Sequence, residues 1–140
     1  MTTTTATAVE TSATPAAQPL LAFGGRVLIA AIFVLSGLSK VAAPAASIAY
    51  IQSAGLPLPQ LALAAAVLVE LGGGLALIAG YRVRLVALAL AGFSIVTALA
   101  FHNQLGDQNQ FIHFFKNVAM AGGLLQVAAF GGGRIAFQRS

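Results

Sequence analysis

The sequence predicts an all-α membrane protein, a four-transmembrane-helix bundle with a short interfacial helix between spans 1 and 2. Three observations predict it. The 140 residues are 59% hydrophobic and 7% charged, whereas a soluble domain carries roughly 25% charged residues. Four apolar runs follow one another, and about twenty helical residues at ~1.5 Å each match a ~30 Å hydrocarbon core. All five prolines lie outside those runs. The mean hydropathy of +0.91 agrees.

Residues 1–19 are rich in Thr and Ala, hold one charge (Glu10) and show no hydrophobic period, so they read as a disordered tail. The transmembrane domain covers residues 20–130. Its first span runs from about Leu20 to Val41. A cleaved signal is the competing reading, because small residues follow at Ala42 to Ala46. No basic stretch precedes the run, however, and Lys40 falls where a cleavage site needs small neutral side chains. Next comes PAASIAYIQSAGLPLP. Pro44 suits a first helical turn and Gly55 a stop, with Pro57 and Pro59 beyond. Ile48, Ile51 and Ala54 share a face, which predicts a short helix in the interface or re-entering the bundle, against an extended loop. Spans 2, 3 and 4 run from Gln60 to Gly80, Leu85 to about Gln104 and Phe111 to Phe130. Residues 131–140 form a short polar end.

Charge reports topology. Four spans put both termini and the connection between spans 2 and 3 on one side of the membrane. That side takes Arg26, Arg82, Arg84, Arg134 and Arg139, and the other takes Lys40 and Lys116. The positive-inside rule then sets both termini in the cytoplasm. Arg26 is expected to reach for lipid phosphate from the inner interface. The pI of about 10.4 comes from scattered basic residues that form no basic face, which argues against nucleic acid. Cysteine is absent, excluding a disulfide framework, a thiol relay and Cys-ligated zinc or iron–sulfur sites.

One residue stands out. Glu70, one of three acidic residues, lies in the middle of QLALAAAVLVELGGGLALIAG. A carboxylate at that depth is costly and needs a partner inside the protein. Ala66, Gly73 and Gly74 on its face admit a close neighbouring helix. The other polar residues cluster toward the outer end. Ser36 and Lys40 are four apart on span 1. Ser94, Ala98 and His102 form a stripe on span 3. His113, Lys116 and Asn117 open span 4, after Asp107 in the preceding loop. Lys40 and Lys116 balance Glu70 and Asp107, as burial of charge demands.

Two readings follow. In one, these are structural ion pairs that fix helix register. In the other, Glu70, Lys116 and His113 carry chemistry in a ligand pocket walled by Ser36, Lys40, His102, Asn117 and Asp107. Each residue has a plainer role: Lys40 reaching the interface, Asp107 shaping a turn, the histidines hydrogen-bonding. A haem held by His102 and His113 is the less supported alternative, and no metal site is expected.

The motifs GRVLIAAIFVLSGLSK, LVELGGGLALIAG and QFIHFFKNVAMAGGLL together resemble the DoxX family, over nearly all of Gly24 to Phe130. The resemblance implies a small four-span protein of a bacterial inner membrane, with membrane-associated redox roles for some members. It marks Ser36, Lys40, Glu70, His113, Lys116 and Asn117 as motif positions. His102 and Asp107 rest on the stripe and loop alone.

The favoured function is a quinone-interacting subunit of a membrane oxidoreductase. Quinone oxygens need hydrogen bonds and a proton source, which Lys116, His113 or His102 and Glu70 supply. No intrinsic cofactor is evident, so a partner redox protein is implied, and a homo-oligomer is compatible. A non-catalytic membrane scaffold and a small-solute or proton transporter are the alternatives. The transporter is disfavoured because the inner half lacks polar residues to continue a route.

Overall fold

The computed structural model describes residues 17–137, and every regular element in that range is helical. The helices are α1 (Ala17–Ala42), α2 (Pro44–Ser53), α3 (Pro59–Val67), α4 (Gly73–Ala79), α5 (Val83–Phe101) and α6 (Gln108–Phe130). A π-helical turn, Leu68–Gly72, joins α3 to α4, so Pro59–Ala79 is continuous. Most of the expected tail lies outside the described residues, while residues 17–19 already belong to α1.

Among the described residues, three helices are long and apolar enough to cross a membrane: Ala17–Ala42, Pro59–Ala79 and Val83–Phe101. The expected fourth span differs. α6 is long enough at 23 residues, about 35 Å, but is not one of the three. The reason is its content: Gln108, Asn109, Gln110, His113, Lys116, Asn117 and Gln126 all fall within it. It nevertheless packs along α5 more extensively than any other helix pair does.

Local chemistry sets the ends. Pro44 and Pro59 occupy first-turn positions of α2 and α3, where a missing N–H costs nothing. Gly80, at φ 78°, ends α4 in a left-handed conformation that glycine adopts without strain. The Asp107 carboxylate accepts from Gln110 N–H at 2.9 Å and caps α6.

Each long helix presents one narrow face inward. On α1 this face is Arg26, Ala30, Phe33 and Gly37, while Leu28, Leu35 and Leu38 point outward. The core joins Ala30 and Phe33 to Leu77, Ala87, Leu90 and Leu124. Among lipid-like side chains, helices associate through close packing rather than exclusion of water. Gly74 shows this, since a Cβ there would stand 2.8 Å from Val34 Cγ2 and 3.3 Å from the Ala30 carbonyl. α1 and α4 meet nearly backbone to backbone.

On α2, Ile51 is buried and Ile48 is half-buried, as is Ala54 just past its end. That is the inward face the sequence predicts, and α2 bridges the ends of α1 and α3.

Candidate functional site

Glu70 sits within the π turn and is 5% exposed. Such a turn takes one extra residue into the helix and often marks a functional position. Ser36 Oγ donates to Glu70 Oε1 at 3.2 Å. Lys40 Nζ donates to the same oxygen at 3.0 Å and to Ser36 Oγ at 2.8 Å. It also lies 3.0 Å from Oε2, so the ammonium faces both oxygens of the carboxylate. The Lys40 side chain is 26% exposed, so the pair joins a buried acid to a cation that reaches the surface.

The pair borders a cavity of about 690 Å³, within the ordinary range for small-molecule sites. Its wall is predominantly apolar. α1 contributes Ile32 and Phe33 beside Ser36 and Lys40, α2 contributes Tyr50 and Ile51, and α5 contributes Phe93 and Val96. Tyr50 stacks on Phe101 with ring centroids 5.2 Å apart, which ties α2 to the end of α5. Ile32 and Val96 in that wall are also exposed, so the cavity opens to the surroundings.

Several polar groups in that wall are already committed. Ser39, Ser47, Ser94 and Thr97 donate to carbonyls of their own helices. What remains is the Glu70–Lys40–Ser36 group, Tyr50, His102 and Asn117.

The structure divides the sequence-expected set. Ser36, Lys40, Glu70, His102 and Asn117 line the cavity. His102 Nδ1 is 3.0 Å from Gln110 Oε1, and its ring stacks on His113 at 5.0 Å. His113 therefore backs His102 and is outside the cavity wall. Asp107 is exposed and serves as the cap of α6 rather than as a wall residue. Lys116 is a correction. It is exposed, it is absent from the cavity wall, and among the described residues the ion pair of Glu70 is with Lys40. The heptad position explains this: Asn117 turns inward, so its immediate neighbour points away. Among the described residues no cluster of three or more metal-ligating side chains forms.

The DoxX family model matches residues 21–103, which hold the three apolar spans but for the first four residues of α1, and every cavity residue except those of α6. The chain belongs to the DoxX family. It is similar to two inner membrane proteins of Escherichia coli (strain K12). YqjF is 34% identical over 114 residues, covering 81% of this chain and 86% of that protein. YphA is 31% identical over 129 residues, covering 89% and 92%. No solved structure matches. The chain is thus an integral membrane protein of the DoxX family, and the family match ends before the α6 motif that also carries the resemblance.

Sequence reasoning missed Arg26. Instead of reaching for lipid, it is 2% exposed. It donates to the carbonyls of Gly132, Ile135 at 2.7 Å and Ile78 at 3.3 Å. Ile78 lies in the last turn of α4 and Gly132 just past α6, so the cation sits at two helix C-termini, where dipoles are negative. Phe137 N–H adds a bond to the Ala79 carbonyl at 3.1 Å. The end expected to be simply polar is therefore folded back across the bundle over residues 131–137. The available signal was position: Arg26 lies on the same face as Ala30, Phe33 and Gly37.

Proposed function

We propose that this DoxX protein binds a quinone-class molecule and serves as the quinone-handling subunit of a membrane oxidoreductase. The single observation that carries the reading is the Glu70–Lys40 pair bordering a large, predominantly apolar cavity. A quinone suits that asymmetry. Its ring oxygens accept from Lys40, His102 or Asn117, its tail runs along Ile32 and Val96 toward lipid, and Glu70 relays a proton. With no cysteine to ligate an iron–sulfur cluster, electrons come from a partner redox protein.

A permeation path draws less support, because the end opposite the cavity is covered by residues 131–137 over Arg26. The same reading takes α6 as a fourth span, and the five arginines then put both termini on the cytoplasmic side of an inner membrane. A reporter fused after Ser140 that is active only outside the cytoplasm overturns that orientation.

The function is tested by mass spectrometry of lipids that co-purify with the protein, in parent and Glu70→Gln forms. Quinone enriched with the parent and depleted with the variant is the expected result. Equal, background quinone in both sinks the reading and leaves the ion pair as a structural element of a scaffold.

A further inference from the structure

We infer that the polar head of the cavity's ligand is held by His102 and Asn117, on the wall formed by α5 and α6, and not by the Glu70–Lys40 pair. The inference rests on the proposed quinone reading and specifies which residues of the site meet the quinone ring.

The Glu70 group is closed on itself. An ammonium has three N–H groups, and that of Lys40 faces three oxygens of the protein. These are Glu70 Oε1 and Oε2, each at 3.0 Å, and Ser36 Oγ at 2.8 Å. Ser36 in turn directs its hydroxyl proton to Glu70 Oε1. No donor is left over for a ligand, and a quinone oxygen only accepts. Drawing Lys40 away would leave a buried carboxylate without its cation, which costs more than one hydrogen bond to a ligand contributes.

The other wall is differently equipped. Among the described residues α1 and α5 do not pack on each other, so the cavity that both line separates the ion pair from His102. Gln110 Oε1 engages His102 Nδ1, and the His113 ring stacks on the imidazole. Both contacts hold the ring and leave Nε2 as the nitrogen for a ligand. Gln110, His113 and Asn117 are spaced by three and four residues and share a face of α6. Asn117 therefore stands about one turn, roughly 6 Å, beyond His113 on the face that meets His102. An imidazole nitrogen donates to a quinone oxygen when it carries a proton and accepts from a quinol hydroxyl when it does not. A carboxamide does either. The two side chains thus serve both members of the redox couple, which the closed ion pair does not.

The test titrates a short-tailed benzoquinone into the full chain in lipid nanodiscs. Loss of one hydrogen bond to the head is expected to weaken affinity about tenfold in His102→Leu and again in Asn117→Leu. Glu70→Gln alone strands the Lys40 cation beside the cavity, so the pair is tested as the uncharged double variant Glu70→Gln/Lys40→Met. That variant is expected to bind within about threefold of the parent. A benzoquinone bearing a photoreactive azide checks the position in the parent itself, where label is expected on α5 and α6. Leucine variants that bind like the parent, a double variant that loses as much as they do, or label confined to α1 and the π turn overturns the inference while the quinone reading stands. If the quinone does not bind the parent, that reading falls and this inference with it.

Discussion

The two ends of the bundle bury a charge in opposite ways. Near Lys40, an acid within a span is met by a side-chain cation from α1, and empty volume lies beside the pair. Near Arg26, a cation within a span is met by backbone carbonyls of α4 and the residues after α6. The difference is instructive. Carbonyls at helix ends need partners in any case, so the Arg26 arrangement completes the fold and is accounted for by architecture. The Glu70 arrangement borders an open cavity of about 690 Å³, which stability alone does not call for. One end is a clamp, and the other has the properties of a site.

The comparison breaks most readily at Arg26. Arg26→Met removes the guanidinium that holds residues 131–137 against α4. Each lost charge-assisted bond is worth about 1.5–3 kcal/mol, partly offset by relief of burying a cation. A net loss of about 3 kcal/mol is expected, read as a lower Tm in detergent and as new protease cleavage within residues 131–137. Ligand affinity at the far cavity should be unchanged. A resistant terminus with an unaltered Tm shows that the clamp is incidental.

At the other end a double-mutant cycle on Glu70→Gln and Lys40→Met measures the pair itself. The lysine keeps 26% exposure, so screening reduces the interaction from what a fully buried pair gives. A coupling of about 1–2 kcal/mol is expected, with the double variant no less stable than Lys40→Met. A coupling near zero means that the two side chains act independently.

The smallest effects separate cavity residues from their neighbours on the same loop and helix. Asp107→Ala loses a helix cap and should lower stability by about 1 kcal/mol with no change in ligand affinity. Lys116→Ala should change stability by less than about 0.5 kcal/mol and leave binding intact. A marked loss of binding in Lys116→Ala would return that lysine to the site.

What could be read from the residues follows from what is periodic or costly. Apolar runs and prolines marked the helices, because both act within a few residues along the chain. The isolated Glu70 marked the site, because a carboxylate among apolar side chains is expensive wherever the helices go. The small residues around it announced close packing, which Gly74 against Ala30 and Val34 makes concrete. α6 read as a span by length, yet its polar content left it outside the three apolar helices.

The partner of Glu70 was decided only by tertiary structure. Lys40 and Lys116 looked equivalent along the chain, because each lies near the outer end of its segment. A register difference of one residue is about 100° around a helix, and it turns Asn117 toward the cavity and Lys116 away. The π turn that carries Glu70 shifts register again, and no local pattern announces it. Arg26 is the same case at the other end: its partners are backbone carbonyls 52, 106 and 109 residues distant, which no side-chain pattern encodes. The sequence by itself determined where charge must be compensated. Helix rotation and chain reversal decided by what, since those are properties of packed helices rather than of any one segment.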